Sequence, residues 1–226
     1  MADLRNFGLI FSSPSAVARN LGEAPAWYLP LVVIILVTVI FTFSTQTYQL
    51  EYQRQMLEKI KQHTGRDFDI EARLKPSAGK LVMSGMGAAV GVGFFLLVGA
   101  AILNGIAAVM GGRGGFRRMF TFYGYASLVT SLGSLIKIPL VFAKKSIDVR
   151  TSLAAFAPGV PFDSPVGILL GSTDIFSIWA LVATIIGFNV LTELGMKKSI
   201  AVGIGLYALF VLFSVSMGVL RAKTIG

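Results

Sequence analysis

"LVMSGMGAAVGVGFFLLVGAAILNGIAAVM", residues 81–110, decides what kind of protein this is. It runs 30 residues without a charge. About 18 such residues already signal a bilayer span. As one helix rising ~1.5 Å per residue it would reach about 45 Å, beyond the ~30 Å hydrocarbon core, so it must tilt, protrude or break. Four further apolar runs lie on either side of it, at about 27–44, 119–141, 174–191 and 200–220. The sequence therefore predicts an all-α, polytopic transmembrane helical bundle of five spans, forming one domain over residues 1–226.

The composition agrees. The chain is 54% hydrophobic and only 14% charged, against roughly a quarter charged in soluble domains. Its net charge of +9 does not point to nucleic acid. Most lysines and arginines lie between apolar runs, where they orient loops and meet anionic head groups. There is no cysteine, which excludes disulfides, thiolate catalysis and cysteine metal sites. One histidine, His63, leaves no pair to hold a metal, and no cofactor is expected.

The segment Met1–Pro25 lacks the apolar core and cleavage site of a signal peptide. "SSPSAVARNL" reads as a short helix, capped by Ser12 or Ser13 with Pro14 in its first turn, lying in the membrane interface. Trp27 and Tyr28 follow at head-group depth. After the first span, residues 45–80 read as an extramembrane helix and loop, the helix stopping at Gly65. The proline-broken stretch "TSLAAFAPGVPFDSPVG" is too short to span and is expected at the interface. Five spans put the two ends on opposite sides. The short basic turns "GGRGGFRR" and "GMKK" favour a cytoplasmic amino terminus, although raw counting of lysines and arginines points the other way.

Several groups could carry chemistry or contacts. In the second span Gly87 and Gly91 form a small-xxx-small pair, which lets helix backbones approach closely in lipid. In the third, Gly124, Ser127, Ser131 and Ser134 share a stripe expected to face other helices, with Lys137 beside it. Asp174 heads the fourth span, either as a proton or ion site or as a helix start; the helix start is preferred, with Ser172 or Thr173 as the cap and Asp174 in the first turn. Lys137 could pair with Asp174 or Asp148 but is expected to snorkel to the interface. Tyr123, Tyr125 and Trp179 could line a groove for lipid or a partner helix, with interior packing the commoner use. Asn104 and Asn189 need interhelical hydrogen bonds or line a solute path. "SLIK" matches a serine-x-x-lysine pattern without its partner motifs. "GMGAAVG" is no dinucleotide fingerprint. "DFDIE" reads as a solvated turn in preference to a divalent-cation loop.

Three stretches resemble one family. "FSSPSAVARNLGEAPAWYLPLV" is similar to the opening of Yip1 proteins, "FYGYASL" to their tyrosine-glycine-tyrosine segment and "DIFSIWALV" to their fourth span. Order and spacing agree over most of the chain, least informatively at 45–80 and 144–170. The resemblance implies five spans and a cytoplasmic amino terminus. Eukaryotic members are linked to vesicle traffic and Rab-type GTPases. Here residues 1–25 offer no long cytosolic region, so GTPase binding is not carried over and the compact prokaryotic branch, in a cytoplasmic membrane, fits better.

Packing faces are abundant and catalytic constellations are missing. The sequence thus points to a non-enzymatic adaptor or scaffold that binds membrane lipids, another membrane protein or itself. The alternative is a small-solute or ion transporter using the polar face of the third span with Asp174.

Overall fold

The computed structural model describes residues 2–65, 67–75, 77–157, 159–160 and 164–225. The side chains of His63 and residues 221–225 lie outside the description, as do Pro158 and residues 161–163 of the proline-broken linker.

Two short helices open the chain, α1 (Ala2–Ser12) and α2 (Pro14–Asn20). Ser13 holds the cap position of α2, but its hydroxyl makes no cap bond. Pro14 needs none, having no N–H to satisfy. The expected interfacial helix is thus a helical pair, and its apolar side is taken up by the bundle. Ile10, Val17 and Ala18 are fully buried in the core cluster, α1 lying against α7 and α2 against α9.

The first span, α3 (Tyr28–Ser44), continues into α4 (Gln46–Thr64) after a 65° bend. The bend falls at Thr45, which is buried and leaves helical geometry. Its hydroxyl donates to the Phe41 carbonyl at 2.7 Å, a back-bond that bends helices. α4 ends at Gly65, whose φ of +62° is the left-handed terminator the sequence predicts. A short α5 (Ile70–Leu74) leads to α6 (Ala78–Val109), then α7 (Phe116–Lys144), which contains Pro139. α6 is unbroken over 32 residues; at that length it must tilt or protrude. A 3-10 turn (Leu153–Phe156) and α8 (Pro165–Ser172) follow, and α9 (Ile175–Thr192) and α10 (Met196–Ile225) complete the bundle. Among the described residues four helices are long and apolar enough to cross a membrane, and five if the bent α3–α4 pair is one span.

α7 sits at the centre, against α3, α6 and α9. Phe122 and Tyr125 from α7 and Phe188 from α9 are the largest buried side chains. Small residues set these distances. A Cβ at Gly124 would stand 3.0 Å from the Pro30 ring of α3, and one at Gly99 of α6 would stand 2.6 Å from the Tyr123 ring. The tightest case is Gly187 of α9, where a Cβ would enter the Phe122 ring.

Gly187→Ala is therefore expected to lower the thermal midpoint of the detergent-purified protein, by overpacking worth about 1–3 kcal/mol. Gly87→Ala, with nothing within 4 Å of the added methyl, should leave the midpoint unchanged or raise it, since alanine is the better helix former. Equal effects at the two sites would contradict the packing described.

Candidate functional site

Asp174 is held first by its own helix. The Ser177 N–H donates to its Oδ1 at 2.7 Å, and the Asp174 N–H donates to Ser177 Oγ at 2.8 Å. This reciprocal capping box satisfies two of the donors that a helix start leaves open. The second carboxylate oxygen remains available. Lys137 of α7 reaches it, its ammonium donating to Asp174 Oδ2 at 3.3 Å. The two side chains are 31% and 13% exposed.

The pairing corrects the expectation that Lys137 snorkels. The carboxylate is fixed by its cap, so the lysine meets a preformed acceptor beside its own helix, and a charge drawn out of water is best placed on a partner. Asp148, the other candidate partner, takes Arg150 at 3.4 Å. The Leu153 N–H donates to the Thr173 carbonyl at 3.0 Å, tying the loop after α7 to the start of α9.

The polar stripe of α7 is closed on itself. Ser127 donates to the Tyr123 carbonyl at 2.8 Å, Ser131 to the Ser127 carbonyl at 3.2 Å and Ser134 to the Thr130 carbonyl at 3.3 Å. Each hydroxyl donates one turn back along its own helix; Gly124 and Ser131 are buried, and Ser127 and Ser134 are half-buried. Ser134 and Lys137 of "SLIK" serve different partners and do not form a serine–lysine pair. Tyr125 is buried, with the Phe7 ring edge-on at 5.3 Å. Tyr123 and Trp179 are half-buried against the core. Asn189 accepts from Ser199 of α10 at 3.4 Å, the interhelical bond expected of it, while Asn104 is half-buried on α6. Asp174 and Asn189 stand at opposite ends of α9, about 22 Å apart along the axis. These groups do not surround one cavity.

Gly87 and Gly91 behave differently from the α7 stripe. Neither has an atom of another helix within 4 Å of where a Cβ would lie. They share the outward side of α6 with Met83, Met86, Val90 and Phe94, all more than half exposed. The three acids of "DFDIE" are separately engaged. Lys61 binds Asp67 at 2.6 Å, Asp69 caps α5 through the Ala72 N–H, and Arg54 binds Glu71 at 2.9 Å. The hydrogen bond from Lys61, with its charge, holds the Asp67 carboxyl below the usual carboxylate range.

Sequence reasoning understated the Lys137–Asp174 pair. The signal was present, since both lie near one end of neighbouring spans. The helix Ala2–Ser12 was missed as well, although its apolar residues recur with a helical period that the sequence carries.

This architecture defines a polytopic helical membrane protein whose polar groups at membrane depth are largely satisfied between neighbouring turns and helices. The Yip1 domain matches residues 7–217, and the chain belongs to the Yip1 family. It is similar to "Membrane protein YknW" of Bacillus subtilis (strain 168), with 25% identity over 217 residues, covering 96% of this chain and 90% of that protein. No solved structure matches it.

If Asp174 acts first as a cap, Asp174→Asn should keep most of the stability and Asp174→Ala should lose about 0.5–2 kcal/mol from the cap alone. Chemical denaturation in micelles separates the two. Equal losses for both variants would assign the role to the charge instead.

Proposed function

We propose that this Yip1-family chain is a non-enzymatic integral membrane adaptor that holds protein spans or lipids against its own helices. One contrast supports the reading. The small-residue face of α7 is consumed inside the chain, whereas Gly87 and Gly91 present bare backbone on the outward side of α6. Small residues are what a neighbouring helix needs for close approach in lipid, where packing replaces the hydrophobic drive. The occupant is another membrane protein, a second copy of the chain or ordered lipid. GTPase binding is not part of the proposal.

The polar groups point the same way. Transport across α7 would need polar groups gathered around one path, and Asp174 and Asn189 stand at opposite ends of α9. Catalysis would need a nucleophile beside a base, and the Asp174 carboxylate is committed to a cap and a lysine. The short basic turns with Arg113, Arg117, Arg118, Lys197 and Lys198 support a cytoplasmic amino terminus, and the likeness to a bacterial relative supports placement in a prokaryotic cytoplasmic membrane.

The test is gentle extraction of the tagged chain from its native membrane, followed by native mass spectrometry. The wild type should retain a second protein, a second copy or a defined lipid in fixed ratio. Gly87→Leu with Gly91→Leu should lose it while keeping the thermal midpoint. Retention unchanged by the double substitution would refute the α6 docking face.

A further inference from the structure

A second feature lies where α6 enters the apolar layer. The bend at Thr45 swings α4 over the start of α6, and α5 closes the side, leaving a recess of about 150 Å³. Three cationic residues line it, Arg73, Lys75 and Lys80, the Arg73 guanidinium also lying 4.5 Å from the centre of the Phe68 ring. Gln46, Gln49 and Gln53 of α4 line it too, the Gln49 amide donating to Thr45 Oγ1 at 2.8 Å. Three hydroxyls complete the polar lining, from Thr42, Ser77 and Ser84. No carboxylate lines it. The nearby acids are drawn elsewhere, Glu71 and Glu51 to Arg54 and Asp67 to Lys61.

Three cationic residues beside neutral donors, with no carboxylate in the lining, suit an anion. Arginine guanidinium and lysine ammonium groups suit phosphate oxygens, and amides and hydroxyls can bond the ester or glycerol oxygens around them. Lys80 is positioned for this by the fold, its ammonium donating to the carbonyls of Arg73 at 3.0 Å and Lys75 at 3.3 Å, which draws the loop before α6 inward. Below the recess the surface turns apolar at once. Phe43, Val82, Met83 and Met86 are exposed, and Gly87 and Gly91 continue down α6 on the helical face that bears Lys80 and Ser84. A polar, cationic recess at the head of an exposed apolar face has the shape of an amphiphile with an anionic head.

We propose that this recess binds a phosphate monoester or diester anion, the head group of an anionic phospholipid whose chain lies along α6, or a soluble phosphate ester of the same chemistry. It names a ligand class for one end of the docking face proposed above, and it rests on different residues, Arg73 and Lys75, so the two claims fail separately.

The test uses the full-length chain in nanodiscs and in micelles. Native mass spectrometry with added phosphatidylglycerol, phosphatidylcholine or glycerol 3-phosphate gives the occupancy of each. Arg73→Gln with Lys75→Gln removes two charges but leaves Lys80 on its carbonyls. Ser84→Leu fills the recess with no change of charge. Lys197→Gln with Lys198→Gln is the charge-matched control on α10, and thermal midpoints confirm folding. Retention of phosphatidylglycerol over phosphatidylcholine, falling at least fivefold in the first two variants and unchanged in the control, supports a lipid head group. Binding of glycerol 3-phosphate with the same dependence, and no lipid preference, supports the soluble source. Absence of both, or equal losses in the control, overturns the site. Should Arg73→Gln with Lys75→Gln fail to fold, Ser84→Leu alone decides, since retention unaffected by filling the recess is incompatible with binding there.

Discussion

In hydrocarbon, a polar group without a partner costs several kcal/mol, and no water is at hand to relieve it. That constraint orders this protein. It makes every span a helix, and it governs what most polar side chains within the spans do. The α7 hydroxyls turn back on their own carbonyls. Asp174 uses one oxygen to start α9 and the other to hold Lys137. Asn189 takes its bond from the neighbouring helix. Once these requirements are met, close packing of small residues against rings can determine the rest, with Phe122 over Gly187 and Tyr123 over Gly99 as its tightest points.

Two kinds of small-residue surface follow. On α7 and α9 glycines accommodate rings and a proline from the same chain, so their function is internal. On α6 the glycines at 87 and 91 accommodate nothing described in this chain. A protein that satisfies most of its polar groups internally, with Asn6 Nδ2, Arg118 Nε and Thr151 Oγ1 as buried exceptions, and leaves small and apolar residues outward is equipped to be packed against. The cationic recess at the head of α6 gives that outward side a polarity, with an anion-binding end and an apolar length.

The spans were legible because hydropathy acts over twenty residues at a time. The 30-residue run at 81–110 and the helix Ala78–Val109 nearly coincide, and Gly65 ends α4 through the left-handed geometry that glycine adopts at no steric cost. That Asp174 stands at a helix start was legible too, but the cap was expected at Ser172 or Thr173; Asp174 holds that position itself, and Thr173 instead ends α8. Pairing between α7 and α9 was not legible, because whether a lysine near a span end turns to water or to a carboxylate depends on where another helix places that carboxylate. The same limit applies to Gly87 and Ser131. Both read as packing positions, and only the three-dimensional arrangement separates the one that faces outward from the one that is 8% exposed inside. The recess was illegible for the same reason, since its cations and glutamines come together only through the bend at Thr45.

The chain contains no cysteine, so a single introduced thiol reports on its own position. The most direct measurement places cysteine in turn at Ser127, Ser131 and Ser134 and follows labelling by a membrane-impermeant thiol reagent in sealed vesicles, with Lys59→Cys on α4 as the exposed reference. A bundle whose polar stripe is closed on its own backbone predicts no labelling at Ser127 or Ser131 under conditions that label the reference fully. Rapid labelling along all three α7 positions would reveal a water-filled path and contradict the account.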